Sequence, residues 1–306
     1  MRALILAVAG LLLLTGCGTT TPATADFPSA SSSGTPAPAS APIARYVALG
    51  DSYTAAPYVY LTDVADGCLR SNGNYPSLLA RALRVSKLVD VSCSAATTLS
   101  LTEPQATFNA KLAPQLDAVT RGTQLVTIGI GGNDFNLFAS LSGGCPLVGP
   151  DGARPRQAPA AGRCGQVDAA VASSNIRGIQ RLVTRSLERV HHRAPNATVV
   201  LVGYPRITST TASCPKQLPV SRADAQVIDT LTHRLSDAMR TAAKATRSRF
   251  VDMYAASKGH DVCAGKAAWV NGVKTNTARA ASLHPFAEEQ QAVARRIAEI
   301  VARGQV

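Results

Sequence analysis

The sequence is short of the features that mark several large classes of protein. Its 23 glycines follow no period, which excludes a collagen-like chain, and 46% of its 306 residues are hydrophobic, which excludes a wholly disordered one. Aromatic residues make up only 5% and do not interleave with the basic residues, so we expect no nucleic-acid partner despite a formal net charge of +12. No internal repeat is visible, so a solenoid is not expected.

Long hydrophobic runs are also scarce. The most apolar segment runs from Ala3 to Leu14 after Met1-Arg2, and it is too short for a mature helix that spans a bilayer, which needs roughly 20 residues. We therefore interpret residues 1–16 as a signal peptide. Leu14-Thr15-Gly16-Cys17 resembles a bacterial lipobox, in which the cysteine is lipidated and becomes the new N-terminus. The alternative is an ordinary cleaved signal with an incidental cysteine.

The next segment, residues 17–42, consists of Cys17 followed almost wholly by Thr, Ser, Pro, Ala and Gly. Such a composition buries too little apolar surface to offset the entropy of ordering, so it predicts a flexible tether. With a lipid on Cys17, the tether would hold the domain beside a membrane. We expect an exported protein that is either lipid-anchored or secreted.

Cysteine usage agrees with export. Without Cys17, six cysteines remain, and an even number of cysteines in an exported chain favours three disulfides over free thiols. Sequence alone permits about 15 connectivities among six cysteines. No pair has Cys-x-x-Cys spacing and no histidine stands at zinc-ligand distance from a cysteine pair, so we expect neither a metal site nor a cofactor. The six are Cys68, Cys93, Cys145, Cys164, Cys214 and Cys263.

Residues 43–306 alternate strand-like apolar runs with segments of helical spacing, a pattern typical of one α/β domain around a mostly parallel sheet. Function is then expected in the loops at the carboxyl ends of the strands. Those loops supply a hydroxyl, an amide and an imidazole, which together suit acyl transfer. The five predicted strands are residues 46–49, 88–91, 125–130, 198–202 and 250–253, and the predicted helices include residues 166–192, 222–247 and 286–303.

Three loop motifs resemble the sequence blocks of the SGNH (GDSL) hydrolases, in particular the secreted actinobacterial esterases and lipases. They are Gly50-Asp51-Ser52, Gly131-Gly132-Asn133-Asp134 and His284-Pro285. The resemblance covers nearly the whole folded part. It implies a three-layer α/β/α sandwich with a central five-stranded sheet.

The resemblance also implies a role for each matching residue. Ser52 would be the nucleophile and His284 the general base. The oxyanion would be held by the backbone N–H groups of Ser52 and Ala95 and by the side-chain amide of Asn133. A serine hydroxyl needs such a base, and the oxyanion needs fixed donors.

Two positions depart from the family pattern. Ala95 stands where glycine is usual, and its N–H can still donate without strain if φ is negative. Ala281 stands three residues before the histidine, where an aspartate is usual. Some actinobacterial members that this chain resembles use a Ser–His dyad, in which a main-chain carbonyl accepts from the histidine ring. The resemblance implies the same here, from a carbonyl near Ala281 or Ser282, with a distant aspartate as the alternative.

The resemblance further implies the disulfide pairs Cys68–Cys93, Cys145–Cys164 and Cys214–Cys263. The middle pair would staple an insert at residues 144–165 that carries Arg154 and Arg156. Tyr53, Pro57, Tyr58 and Tyr60 follow the nucleophile and either line an acyl pocket or simply pack.

We thus predict a monomeric serine ester hydrolase, an esterase or lipase at the cell envelope, acting on a small-molecule or lipid ester. The alternatives are an acyltransferase and a non-catalytic lipoprotein that uses the same fold to bind a ligand.

Overall fold

The computed structural model describes residues 43–143 and 169–304. The lipid-attachment site predicted at Cys17, the tether and the Cys145–Cys164 pair lie outside the described residues. The insert with Arg154 and Arg156 lies outside them as well.

A five-stranded, all-parallel sheet forms the centre of the fold, with the strands in the order β2-β1-β3-β4-β5. From β1 the chain adds β2 on one side of it and then crosses over to add β3 on the other side, so the order of strand addition switches between β1 and β3. In open α/β sheets such a switch point opens a crevice at the carboxyl ends of the strands, where ligands bind. The strands are β1 (Arg45–Gly50), β2 (Lys87–Asp90), β3 (Leu125–Gly129), β4 (Thr198–Val202) and β5 (Arg249–Val251).

Alternate residues of the strands point to opposite faces of the sheet, and both faces are covered. On β1, Val47 and Leu49 belong to one buried cluster, whereas Tyr46 and Ala48 belong to another. Burial on both faces explains the nearly continuous apolar strands. The predicted three-layer α/β/α sandwich is therefore confirmed, with every strand of the central sheet parallel.

Helices of two sizes surround the sheet. The long helices α4 and α5 pack together against one face, and α2 and α7 pack together against the other. The sequence explains their starts, since Asn74 and Ser221 cap α2 and α5 with their side chains. The helices are α1 (Ser52–Ala55), α2 (Tyr75–Ala82), α3 (Leu137–Gly143), α4 (Ala169–Arg193), α5 (Arg222–Ala245), α6 (Met253–Ala256) and α7 (Ala287–Gly304).

Three strands end earlier than the sequence indicated. The third ends at Gly129, one residue before the predicted end. The second ends at Asp90, because its side chain accepts hydrogen bonds from the N–H and hydroxyl of Ser92 and turns the chain. The fifth ends at Val251, because Asp252 caps α6 through the N–H of Ala255. No helix in the described ranges is both long and apolar enough to cross a membrane.

Disulfides join two pairs of loops at the carboxyl edge of the sheet. Cys68 pairs with Cys93 and Cys214 with Cys263, as the resemblance implied. The first bond ties a small hairpin, Thr62–Asp63 with Arg70–Ser71, to the loop that follows β2. The second ties the loop after β4 to the segment that leads to His284.

Candidate active site

Ser52 is placed by the sharp turn that leaves β1. The carboxylate of Asp51 accepts a hydrogen bond from the N–H of Tyr53, which caps α1 and makes Ser52 its first residue. A side chain at Gly50 would lie 2.2 Å from Oγ1 of Thr54 and 2.7 Å from the carbonyl oxygen of Gly129. Packing therefore requires glycine at position 50, and Asp51 is needed to cap the helix that begins at Ser52.

His284 contacts the Ser52 hydroxyl directly. Its Nε2 lies 2.7 Å from the Ser52 Oγ, and its Nδ1 lies 2.6 Å from the carbonyl oxygen of Ser282. A carbonyl oxygen only accepts hydrogen bonds, so Nδ1 carries the proton and the lone pair of Nε2 faces the hydroxyl. This is the tautomer that a general base at Ser52 requires.

Burial keeps this imidazole neutral. Loss of solvation lowers the pKa of His284 below its ordinary value, and the Ser282 carbonyl opposes that shift. Among residues 43–143 and 169–304, no carboxylate hydrogen-bonds to the ring. The main-chain carbonyl occupies the place that an aspartate takes in a full triad.

Candidate oxyanion donors come from three loops. Within the described ranges, the backbone N–H groups of Ser52 and Ala95 donate no hydrogen bond to other protein groups. The Nδ2 of Asn133 donates to the carbonyl oxygen of Ala96 at 3.0 Å, which orients the amide and leaves it a second hydrogen. Ser52, Asn133 and His284 line one cavity, whereas Ala95 is not among its lining residues.

The backbone at Ala95 differs from the unstrained case considered above. Its φ is +63°, in the left-handed region that glycine adopts freely and alanine does not. The glycine usual at this position in the family therefore has a conformational reason. In this chain the loop carries local strain, and its neighbours hold it, with the Ser94 N–H donating to the carbonyl oxygen of Cys68 at 3.1 Å.

Hydrogen bonds couple the loops after β1, β3 and β4. The hydroxyl of Tyr204 donates to the Asp51 carboxylate and accepts from the N–H of Gly132 at 2.8 Å. Burial raises the pKa of Asp51 to about 7, and the bonds from Tyr204 and Tyr53 oppose that rise. Nothing local in the sequence marks this role of Tyr204, because the hydrogen bond joins residues 153 positions apart.

The loop that carries His284 is held by the side chains of Asn271 and Tyr53, through contacts that were not predicted from the sequence. The Nδ2 of Asn271 donates to the carbonyl oxygens of Lys274, Ala280 and Ala281 at 2.9–3.0 Å, and its Oδ1 accepts from the N–H of Gly272. The hydroxyl of Tyr53 donates to the carbonyl oxygen of Leu283 at 2.7 Å. An Asn-Gly pair is an ordinary turn signal, so its sequence gave no hint of this role.

The cavity beside Ser52 has a volume of about 550 Å³ and mostly apolar walls. Of the four residues that were candidates for an acyl pocket, Tyr53 lines it. Pro57, Tyr58 and Tyr60 do not, and Tyr60 is 64% exposed. In the described part of the chain, no group of three or more His, Cys, Asp or Glu residues is arranged to hold a metal ion.

Comparisons with known proteins point the same way. A sequence model of the GDSL-like lipase/acylhydrolase family matches residues 48–292. The chain is 39% identical to Lipase 2 of Streptomyces coelicolor over 232 residues, which are 74% of this chain and 76% of that one.

Solved structures are similar too. The crystal structure of phospholipase A1 from Streptomyces albidoflavus superposes with a TM-score of 0.63 at 26% identity, covering 81% of this chain and 95% of that one. The extracellular lipase of Streptomyces rimosus gives 0.61 at 27%, covering 81% and 94%.

Proposed function

Because the chain belongs to the GDSL-like lipase/acylhydrolase family and is a carboxylic ester hydrolase, we propose that it works through a covalent acyl-enzyme on Ser52 with His284 as general base. The observation that carries this proposal is the 2.7 Å contact between the Ser52 Oγ and the His284 Nε2. A nucleophile and a base within hydrogen-bond reach are the minimum for activating a serine.

The first half-reaction forms the acyl-enzyme. The Ser52 oxygen attacks the ester carbonyl carbon while its proton passes to the His284 Nε2, which gives a tetrahedral oxyanion and an imidazolium. When the intermediate collapses, the bond to the alcohol oxygen breaks and the imidazolium proton goes to that oxygen. The second half-reaction repeats these steps with water as nucleophile, so the acid leaves and Ser52 regains its proton.

The oxyanion is stabilised by donors that are already in place. We assign this role to the N–H groups of Ser52 and Ala95 and to the free hydrogen of the Asn133 amide. Donors that are already oriented need no reorganisation when charge develops, and removing one typically costs about 10²–10³ in kcat. The Ser282 carbonyl fixes the imidazole tautomer but adds no negative charge, so the imidazolium is stabilised less than in a triad with an aspartate.

We place this reaction outside the cytoplasm, with residues 1–16 removed, Cys17 lipidated and residues 17–42 acting as tether to the domain. The apolar N-terminal run and the lipobox-like Leu14-Thr15-Gly16-Cys17 support export and anchoring. One similar structure is that of an extracellular lipase, which supports export. Incubating cells with a radiolabelled fatty acid tests the anchor, since wild type and not Cys17→Ala should retain the label.

The mechanism is tested with a fluorophosphonate probe and short p-nitrophenyl esters. Wild type should be labelled and turn over, and Ser52→Ala should do neither. His284→Ala should lose nearly all turnover. Ser77→Ala, a serine on α2 away from the cavity, should behave like wild type.

Equal labelling of the Ser52→Ala protein would contradict the assignment of the nucleophile. Transfer of the acyl group to an added alcohol in preference to water would show an acyltransferase instead of a hydrolase. Both outcomes are read from the same assay, by mass spectrometry of the protein and chromatography of the products.

A further inference from the structure

The short helix α1, which begins at Ser52, cannot satisfy one of its own carbonyl groups. In a continuing α-helix, the carbonyl oxygen of Tyr53 would accept a hydrogen bond from the N–H of residue 57. Residue 57 is proline, which has no N–H, and the chain leaves the helix at Ala56 with a left-handed φ of 52°. The Tyr53 oxygen therefore needs a donor from another part of the chain.

Gln290, six positions after His284 on α7, supplies that donor. Its Nε2 donates to the carbonyl oxygen of Tyr53 at 3.0 Å and to the Oε2 of Glu289 at 2.8 Å. Its Oε1 accepts from the N–H of Tyr75 at 2.7 Å. The residue is fully buried, with 0% exposure, and both amide hydrogens and the amide oxygen are in use.

The partners of Gln290 fix the direction in which its amide points. A carbonyl oxygen only accepts and a backbone N–H only donates, so Nε2 faces Tyr53 and Oε1 faces Tyr75. The N–H of Tyr75 lies in the first turn of α2, where helix N–H groups have no partner within their own helix. One buried side chain thus completes both the end of α1 and the start of α2.

Tyr53 is thereby joined to the segment of the base on both sides of His284. Its hydroxyl donates to the carbonyl oxygen of Leu283, just before the histidine. Its carbonyl oxygen accepts from Gln290, which follows the histidine. The 2.7 Å contact between the Ser52 Oγ and the His284 Nε2 therefore lies within a ring of hydrogen bonds that links α1 to the start of α7.

We propose that Gln290 is a positioning residue, whose amide holds the helix of Ser52 at the distance from His284 that proton transfer requires. The proposal rests on the mechanism above, in which His284 takes the Ser52 proton. Gln290 is not among the residues that line the cavity. Its loss should therefore slow the chemical step and leave the binding of the ester unchanged.

The experiment replaces the amide by a side chain of similar length. Gln290→Met should lower kcat for a short p-nitrophenyl ester by about ten- to a hundredfold and leave KM within about twofold, because a displacement of about 1 Å can cost roughly 10²-fold in rate. Rates are expressed per site that the fluorophosphonate finally labels, so unfolded molecules do not contribute. Gln290→Asn, a shorter amide that keeps the site polar, is a second variant and should change kcat in the same direction.

The matched control is Gln291→Met. It makes the same change at the next residue of α7, which is exposed. Its kcat and KM should equal those of wild type. A loss of kcat at Gln291 as large as that at Gln290 would contradict the proposal.

A double variant supplies a readout that independent structural damage would not move. Tyr53→Phe and Gln290→Met weaken the same ring of hydrogen bonds, so their effects on kcat should be coupled. The loss of kcat in the double variant should be smaller than the product of the two single losses. Independent damage at two places would give the full product.

Two results would overturn the proposal and leave the mechanism intact. One is a kcat per labelled site in Gln290→Met or Gln290→Asn that equals that of wild type, or a loss confined to KM. The other is a double variant whose kcat loss equals the product of the single losses. Failure of the mechanism itself is read separately, from labelling that persists in Ser52→Ala.

Discussion

The hydroxyl of Tyr53 donates to the carbonyl oxygen of Leu283, so the residue after the proposed nucleophile is hydrogen-bonded to the residue before the proposed base. The two are 230 positions apart in sequence. The Tyr53 ring also lies against the His284 ring, with centroids 5.2 Å apart. Tyr53 therefore contacts both the imidazole and the backbone beside it, and so helps to position the ring.

Removing this hydroxyl should loosen the base without removing it. We expect Tyr53→Phe to lower kcat about two- to tenfold, corresponding to the ~0.5–1.5 kcal/mol of a net hydrogen bond, and to change KM little. Steady-state kinetics on a short p-nitrophenyl ester measures both constants. Tyr75→Phe, at a buried tyrosine that bonds Thr54 and Thr127 instead, should leave kcat near wild type. An equal loss of kcat in Tyr53→Phe and Tyr75→Phe would show that the loss comes from lower stability and not from the position of His284.

The acid limb of the pH–rate profile should report His284. The imidazole must be neutral to accept the Ser52 proton, and burial lowers its pKa below the ordinary value of about 6.5. The value of kcat/KM should therefore fall to half of its plateau at a pH below 6.5, the ordinary midpoint of an imidazole. The profile is measured with an uncharged ester whose own ionisation does not change.

A midpoint near pH 7 would contradict this assignment. It would point to Asp51, whose pKa is raised to about 7 by burial and which caps the helix that carries Ser52. Asp51→Asn distinguishes the two groups, because it would remove such a midpoint and leave a histidine midpoint where it was.

Ala95 offers a stabilising substitution. Its φ of +63° is costly for alanine and free for glycine, so Ala95→Gly should raise the free energy of unfolding by up to about 1 kcal/mol. Urea unfolding measures the change. The N–H remains, so kcat should be preserved.

The matched control is Ala106→Gly. Ala106 is exposed on an extended two-residue strand, where glycine should lower stability by roughly 0.5–1 kcal/mol. We therefore expect Ala95→Gly to raise the free energy of unfolding and Ala106→Gly to lower it. A loss at Ala95 as large as that at Ala106 would show that the left-handed backbone there carries no strain.

Glu289 makes stability depend on pH. It is 2% exposed, and burial raises the pKa of its carboxyl to about 8, while a hydrogen bond from Gln290 and the charge of Arg296 oppose that rise. The folded state therefore holds a proton that the unfolded state releases above its ordinary pKa. Stability falls as pH rises from about 4.5 to about 8.

Glu289→Gln should remove this dependence. We expect the variant to be more stable than wild type at pH 9, by on the order of 2 kcal/mol, and nearly equal at pH 5. Urea unfolding at both values is the measurement. Glu288→Gln is the control, because the neighbouring carboxylate is exposed and pairs with Arg279 at 3.6 Å. A gain at Glu288 as large as at Glu289 would show a general charge effect.

Local chemistry explains how much of the molecule was predictable. The strands, the long helices and the turn at Gly50-Asp51-Ser52 follow from apolar runs, caps and tight packing, which act over a few residues. The partners of Tyr53, Tyr204 and Asn271 do not, because those side chains bond to backbone or carboxyl groups that only the folded topology brings near. The positive φ of Ala95 could not be predicted either, because alanine favours a negative φ and only the folded loop imposes a positive one.

The cavity shows the same limit. Its lining residues Ile207, Leu218 and Ile228 are ordinary aliphatic residues in sequence, and only the folded topology brings them to the same cavity as Ser52. The family resemblance indicated the candidate reacting groups but not the residues of this cavity.

The two reacting side chains lie 232 positions apart, and every strand of the sheet is in or between the segments that carry them. A chain whose synthesis is unfinished therefore carries the hydroxyl without the imidazole. Under the proposed mechanism, such a chain does not hydrolyse esters, and activity begins only when folding joins the two segments. Covalent capture by a fluorophosphonate should then count folded molecules only.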